Sequence, residues 1–470
     1  MDTFDLVILG GGASAFAAAI KANDLGVRTA MINHGLPLGG TCVNVGCVPS
    51  KTLLWAGEML HMANHHGIPG VELAIKRFDF ATVVRDELAL VERMRGEKYQ
   101  KVLEQLQHVT FIDGRARLVS PAEIEVIGER NQRLGARKVL LAVGSTATVP
   151  SIPGLRQTGY VTHIEALALE RQPDALVVIG GGPIGLEFSQ MYARFGTKVT
   201  LLHRRPSVYR QTDAPLARRL VEILRHEGVD VVTSVKVEEI RRENGQKVVV
   251  YRVGEASHVA RTDEILLAAG KTPNTDGLGL ETAGVEVDAG GAVRVQPSFQ
   301  TSHPDIYAAG DVAGLPKRLE ITAGREGTLA AENALTGSER SIDYDTVPYT
   351  VFTDPQLAGV GITEAEQMER MGVCACRTVS LANVPKAIIM RRTEGLIRMV
   401  IHPQNSQIVG VHLLAPQAGE LVAEAMMLVK NRNTIDDVIE SLPMFPTLSE
   451  GIKLAAMAFT RDISKLSCCV

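Results

Sequence analysis

The chain is poor in several things. Aromatic residues fill only 4% of its 470 positions and tryptophan occurs once, so aliphatic and small side chains have to build the core. Six cysteines are too few to staple a chain of this length, which excludes a disulfide scaffold. No apolar run approaches the roughly 18 residues a membrane-spanning helix requires, and Met1-Asp2-Thr3-Phe4-Asp5 is acidic where a secretory leader would be basic. A large excess of either charge is missing too. Against 53 acidic residues stand 49 basic ones, leaving −4 and no polybasic run, so the electrostatic footprint of a nucleic-acid or membrane-surface binder is absent. These absences predict a cytoplasmic protein that inserts in no membrane, binds no nucleic acid and acts on a small substrate.

What is there is a well-patterned globular sequence: 45% hydrophobic residues, mean hydropathy +0.08 and a length that suggests about three domains. Asp5 to Leu9 reads as a buried strand, followed by Gly10-Gly11-Gly12-Ala13-Ser14-Ala15, an alanine-rich helix and a strand from Arg28 to Ile32. The pattern returns as strand Ala175 to Ile179, then Gly180-Gly181-Gly182-Pro183-Ile184-Gly185, a helix through Phe195 and strand Lys198 to Leu202. In each turn the first glycine (Gly10, Gly180) permits the tight bend. The second (Gly12, Gly182) admits a pyrophosphate to backbone N–H groups, and the third small residue (Ala15, Gly185) lets helix and strand pack closely. One such turn is a weak signal, whereas two in strand–helix context predict two dinucleotide sites.

The ribose-reading position at the end of each second strand is Asn33 in the first unit and His203 in the second. Neither is acidic. Arg204, Arg205 and Arg210 follow His203, and cations there favour the 2′-phosphate of NADPH over the free hydroxyl of NADH. Asn33 can still hydrogen-bond a ribose hydroxyl.

Between the two units, Asp79 to His108 has helical periodicity, with Val84, Leu88 and Val91, then Val102 and Leu106, on one expected core face. Ser151 to Gly154 and Gly270 to Asn274 punctuate the second unit as crossover points. From about residue 342 short β-rich runs (Thr350 to Phe352, Leu396 to Ile401, Ile408 to Leu414) precede helices at Ala418 to Lys430 and Glu450 to Phe459, which predicts an α+β third domain.

The cysteines come in pairs, Cys42/Cys47, Cys374/Cys376 and Cys468/Cys469, and pairing in a reducing compartment points to redox or metal chemistry. The most informative segment is Gly39-Gly40-Thr41-Cys42-Val43-Asn44-Val45-Gly46-Cys47-Val48-Pro49-Ser50-Lys51. Two thiols at this spacing can close a disulfide if the chain bends between them, and Lys51, a helical turn beyond Cys47, favours a thiolate. His61 and His65, at i and i+4, lack a third ligand at metal-site spacing. They read as a solvated face, and Cys374-Ala375-Cys376 as structural.

The segment resembles the flavin disulfide reductase family, and the resemblance covers essentially the whole chain. It implies an α/β fold with two Rossmann-like dinucleotide-binding domains, for FAD (1–150 and 271–341) and NADPH (151–270), and a C-terminal α+β dimerisation domain (342–470). It further implies Cys42 as the interchange thiol, Cys47 as the thiol beside the flavin, and Lys51 with Glu187 as an ion pair there. Thr41 and Gly144 join the FAD contacts. Thr301-Ser302-His303-Pro304-Asp305-Ile306-Tyr307-Ala308-Ala309-Gly310-Asp311 is similar to the family's second FAD motif, with Asp311 on the ribityl chain, and Arg204 and Arg210 match the arginine pair of NADPH-dependent members. A homodimer whose subunits complete each other's active sites is implied as well.

Two features choose among the branches. Most members acting on disulfides carry a His-Pro-Thr sequence near the C-terminus, whereas this chain has Phe445-Pro446-Thr447. Phenylalanine transfers no proton, and a lost general acid–base group typically costs 10²–10⁴-fold. The terminal Ser467-Cys468-Cys469-Val470 suits a soft metal and is similar to the tail of the mercury-reducing branch. That branch usually has a tyrosine where Phe445 stands and an N-terminal Cys-x-x-Cys domain, which this sequence does not show. The expectation is an enzyme that takes Hg(II) as a thiol complex on Cys468 and Cys469 of one subunit, passes it to Cys42 and Cys47 of the other, and reduces it to Hg(0). A thioredoxin-reductase-like disulfide reductase and a non-catalytic soft-metal-binding flavoprotein are the alternatives.

Overall fold

A computed structural model describes residues 1–467. Cys468 and Cys469 therefore lie outside the described residues. Leu6 to Leu9 have no exposed surface, as expected of a strand covered on both faces. This strand, Asp2–Leu9, is the middle of a seven-stranded sheet, parallel to Thr29–Asn33 on one side and to Gln132–Leu141 on the other. Thr29–Asn33 in turn pairs in parallel with Val109–Asp113. The far side of Gln132–Leu141 is shared. Its first half pairs with the antiparallel meander Glu123–Ile127 and Arg115–Ser120, its last residues with Ile306–Ala308 in parallel. That last pairing, Ile306 opposite Val139, brings the 301–311 motif to the carboxyl end of the sheet, where α/β folds bind their ligands.

Alanines decide how closely the helices sit on this sheet. In helix Ala13–Asp24, Ala15, Ala18, Ala19 and Ala22 are fully buried against the later helix Glu320–Thr336. The backbones come so near that a Cβ at Gly327 would run into the carbonyl oxygen of Ser14.

The second unit is a four-stranded parallel sheet, ordered Asp230–Val232, Lys198–Leu202, Ala175–Ile179, Glu264–Leu267, with an antiparallel ribbon Val235–Glu243, Gln246–Val253, Ala256–Thr262 beside it. The two chain crossings between the units meet as antiparallel strands, Ser145–Ala147 with Lys271–Pro273. A third, five-stranded antiparallel sheet runs Tyr349–Val351, Gln356–Gly361, Ile408–Ala415, Leu396–Ile401, Cys376–Ser380, covered by helices Ala418–Lys430 and Glu450–Met457.

The helix expected over Asp79 to His108 is α-helical only across Phe80–Arg95, then turns through a wider π segment at Gly96–Gln100 and a last turn at Lys101–Leu103. Its inner face is rotated from the one the apolar residues suggest: Val84 and Val91 are buried, but Leu88 is 43% exposed and Glu87 has no exposed surface.

Candidate active site

Helix Gly40–Val45 stops at Gly46, where a Cβ would meet the Thr41 carbonyl oxygen at 2.8 Å, and helix Cys47–His65 starts at the next residue. The break folds Cys42 and Cys47 towards each other. Their neighbourhood divides one proton unequally. The Cys47 sulfur, and then burial, push the Cys42 thiol up. Cys47 is drawn below the usual thiol range by the hydrogen bond from Cys42, with Lys51 adding to the effect against partial burial. It also sits at the uncapped first turn of a 19-residue helix, where the helix dipole favours an anion. Glu320, first residue of helix Glu320–Thr336, raises both thiols. Sequence reasoning missed it, since no motif contains it.

Lys51 Nζ donates to Glu187 Oε2 at 2.7 Å. Glu187 is buried, and its other oxygen accepts the Phe352 backbone N–H at 2.8 Å, while the Lys51 ammonium lies 4.6 Å from the Phe352 ring centre. One carboxylate thus joins the thiol-bearing helix, the helix Pro183–Phe195 of the second unit and the third sheet. Phe352 was another residue that spacing could not reveal.

The residues expected to hold FAD surround one cradle. A Cβ at Gly10 (φ +130°) would strike the Ala142 carbonyl oxygen, while at Gly12, the uncapped N-terminus of helix Ala13–Asp24, the nearest atom to a Cβ is Gly40 Cα at 3.8 Å. The turn is therefore tight where the chain bends and open where a phosphate would approach. Ser14 Oγ is buried with no protein partner, and Gly310 lies against Ser14. Asp311 Oδ2 accepts from Ser145 Oγ at 2.6 Å, and Gly144 beside it has open space around its α-carbon. Ala15 is buried under the helix and Thr41 is exposed ahead of Cys42. These residues fit an extended dinucleotide with its pyrophosphate at Gly12. Asn33 does something besides: its Nδ2 donates to the Leu36 carbonyl at 2.9 Å and fixes the loop after the strand.

The second turn repeats the geometry. A Cβ at Gly180 (φ +126°) would strike Ala268 O, one at Gly185 would strike Gly180 O, and Gly182 has nothing within 4 Å. His203 accepts the Gly181 N–H at Nδ1 (3.0 Å) and donates from Nε2 to Ser207 O (3.1 Å). Burial, with Arg205 and Arg204 nearby, lowers its pKa, so it is a neutral brace and not a ribose reader. Arg204, Arg205 and Arg210 are exposed and, among the described residues, none makes an ion pair. Nearer the first cradle, Lys271 Nζ meets His163 Nε2 at 3.1 Å. Burial lowers both, His163 to about 4.

Other candidates separate. His61 and His65 stack with ring centres 4.3 Å apart, and burial takes His61 to about 4. They do not belong to a metal-ligand cluster, and the only such group of three among the described residues is Glu364, Cys374 and Cys376. The 374–376 pair, expected to be merely structural, is thus gathered with a carboxylate. Phe445 is 44% exposed, next to the exposed Leu442 and Met444. Among the described residues no helix is long and apolar enough to cross a membrane.

Comparison with known proteins bears on this arrangement. Residues 4–354 match the pyridine nucleotide-disulphide oxidoreductase family, and residues 347–456 match the dimerisation domain of the same family. The chain is 36% identical to a mercuric reductase of Lysinibacillus sphaericus, covering 100% of this chain and 85% of that protein. It is 37% identical to that of Streptomyces lividans, covering 99% and 98%. Among solved structures, the Cu(II) complex of the HOCl-induced flavoprotein disulfide reductase RclA from Escherichia coli superposes with a TM-score of 0.86 at 28% identity, covering 97% of this chain and all of that one. The chain therefore belongs to the pyridine nucleotide-disulphide oxidoreductases, flavoproteins that use FAD and NADH or NADPH, and its C-terminal portion is their dimerisation domain.

Proposed function

We propose that the protein is a cytoplasmic mercury(II) reductase that consumes one NADPH per metal ion: Hg(II) and NADPH give Hg(0), NADP⁺ and a proton. The observation that carries this reading is a polarised dithiol, Cys42 and Cys47, in a chain whose C-terminal approach offers Phe445 where disulfide chemistry needs a proton donor. Likeness to mercuric reductases over the full length supports it. FAD, held by the residues named below, would supply the two-electron link between the pyridine nucleotide and the dithiol.

The residues supply the remainder. In this reading residues 1–150 with 271–341 hold FAD at Gly10, Gly12, Ala15, Asn33, Thr41, Gly144 and Asp311. Residues 151–270 hold NADPH at Gly180, Gly182, Gly185, Arg204 and Arg210, and residues 342–470 form the dimer contact. The hydrogen bond from Cys42 and then Lys51, fixed by Glu187, stabilise Cys47 as a thiolate. Cys42 retains its proton until metal arrives, then loses it on binding. Cys468 and Cys469 of one subunit take Hg(II) from a small thiol and pass it to the Cys42/Cys47 pair of the other by ligand exchange, which keeps the metal thiolate-bound throughout.

The structural neighbour favours a second reading, reduction of another thiophilic metal, since RclA is described as a Cu(II) complex. Anaerobic NADPH oxidation with Hg(II), Cu(II) and a small-molecule disulfide as competing acceptors tests both. Stimulation by Hg(II) above the others is expected. Preferential stimulation by Cu(II) selects the second reading, and by the disulfide the thioredoxin-reductase-like one.

A further inference from the structure

The third domain carries thiols that the reaction above leaves unused. Helix Glu364–Met371 ends at Gly372, and the chain turns back into strand Cys376–Ser380 at the edge of the five-stranded sheet. Ala375 is pinned on both sides: its N–H donates to Gln367 Oε1 and its carbonyl accepts the Ile401 N–H, each at 2.9 Å. Gln367 is itself fully buried and donates to Ile401 O at 2.7 Å. Residues two apart on an extended segment point to the same side, so pinning Ala375 aims Cys374 and Cys376 together. Their sulfurs are 2.8 Å apart and Cys374 Sγ is 3.2 Å from Glu364 Oε1. The three ligand atoms lie within 4.8 Å of one another, with Cys374 exposed and the other two half-buried.

Charge at this corner is unbalanced. Among the described residues Arg398 is the one cation bonded to these ligand side chains, with Nη2 donating to Cys376 Sγ at 3.0 Å and bonded to Glu364, and Nε 3.3 Å from Asp213, while Arg377 reaches only the Cys376 carbonyl. A single guanidinium therefore faces two carboxylates before either thiol ionises. Deprotonating both thiols would leave three uncompensated negative charges, and a divalent cation would bring the excess back to one. Two thiolates with a carboxylate oxygen are a donor set for a soft or borderline d¹⁰ ion. Zinc–sulfur bonds of about 2.3 Å in tetrahedral geometry would need the sulfurs roughly 3.7 Å apart, a separation that a modest side-chain rotation at exposed Cys374 supplies.

We propose that Cys374, Cys376 and Glu364 form a second metal site, binding one thiophilic divalent cation of the zinc group per subunit. It lies apart from Cys42 and Cys47, and it does not depend on the reaction proposed above. Binding is ligand exchange without electron transfer. Two S–H bonds break, two sulfur–metal bonds form, and two protons leave to solvent.

The probe is Cd(II), added anaerobically without NADPH to the FAD-loaded full chain in which Cys42, Cys47, Cys468 and Cys469 are all changed to Ser. The expected result is one Cd(II) per subunit, a thiolate-to-cadmium ultraviolet band and release of two protons. Adding Cys374→Ser and Cys376→Ser should abolish all three signals, and Glu364→Gln should weaken binding by at least about tenfold. Should the four-serine chain fail to retain FAD, the same Cd(II) titration on the otherwise natural holoenzyme, with and without Cys374→Ser/Cys376→Ser, must differ by one equivalent. Equal binding with and without the pair, or binding with no thiolate band, overturns the site.

Discussion

Two pairs of cysteines in this chain share a side chain and differ in almost everything that decides what it does. Cys42 and Cys47 flank a helix break, with a lysine one turn along and a helix N-terminus beneath. Cys374 and Cys376 flank one pinned residue at a sheet edge, with Glu364 against Cys374 and Arg398, itself tied to Glu364, against Cys376. In the first pair the field separates the thiols, lifting Cys42 and lowering Cys47. In the second it opposes ionisation: burial, then Cys376 and Glu364, raise Cys374 to about 12. A thiolate held ready beside a lysine is a nucleophile and electron donor, whereas a thiol raised as Cys374 is, beside a carboxylate, gives up its proton to a bound cation. The neighbouring charge, more than the cysteine spacing, assigns redox work to one pair and ligation to the other.

The largest effect should come from exchanging sulfur for oxygen in one pair at a time. Cys47→Ser should lower Hg(II)-dependent NADPH oxidation by more than about 10³-fold, as loss of a reacting group does, and remove the long-wavelength absorption that a thiolate gives beside a flavin. Cys374→Ser/Cys376→Ser should leave both unchanged. If the two variants behave alike in turnover, the contrast between the pairs is wrong.

Next in size is the terminal pair, whose proposed role is delivery. Cys468→Ser/Cys469→Ser should cut turnover by roughly 10–100-fold when Hg(II) is offered as a thiol complex and much less when it is offered as the bromide complex. FAD content and NADPH-driven flavin reduction should stay intact. Equal, undiminished turnover on both complexes removes the delivery role.

A smaller change is expected at the second nucleotide turn. Arg204→Ala/Arg210→Ala should reduce the NADPH-over-NADH preference in kcat/KM by about tenfold, the part of two charge-assisted contacts that survives solvent screening at exposed side chains. An unchanged ratio would make these arginines ordinary surface residues.

The smallest effect sharpens the electrostatic side of the comparison. Because Lys51 lowers the Cys47 pKa, the thiolate absorption persists down to the depressed value and is lost as pH falls through it. Lys51→Met should move that loss to higher pH. A pH profile that does not move, with FAD still bound, would assign the polarisation to Cys42 and the helix terminus alone.

Much of this was legible in the sequence because it is local. The two glycine turns, their strands and the 39–51 segment each carry their geometry within a few residues, and the strands at Ala175–Ile179, Lys198–Leu202 and Leu396–Ile401 fall where the apolar runs place them. What stayed hidden depends on distant partners. The Leu88 and Glu87 exchange of faces is set by how helix Phe80–Arg95 lies on its neighbours, which periodicity in one helix cannot report, and it leaves Glu87 buried with its pKa raised to about 7. Phe352 reaches the Lys51–Glu187 pair and Glu320 the thiols from hundreds of residues away in the chain, and Glu364 meets Cys374 only because a helix turns back into a strand. His203 occupies a ribose-reading position yet spends both ring nitrogens on its own turn, a use that residue type alone does not reveal.

If electrons from NADPH leave through the Cys42/Cys47 pair onto Hg(II), NADPH consumed and mercury vapour released, measured together anaerobically in one vessel with excess small thiol, will match at one Hg(0) for each NADPH, and Cys42→Ser/Cys47→Ser will stop both. NADPH consumption without mercury vapour, or vapour release that survives the double substitution, would contradict that route.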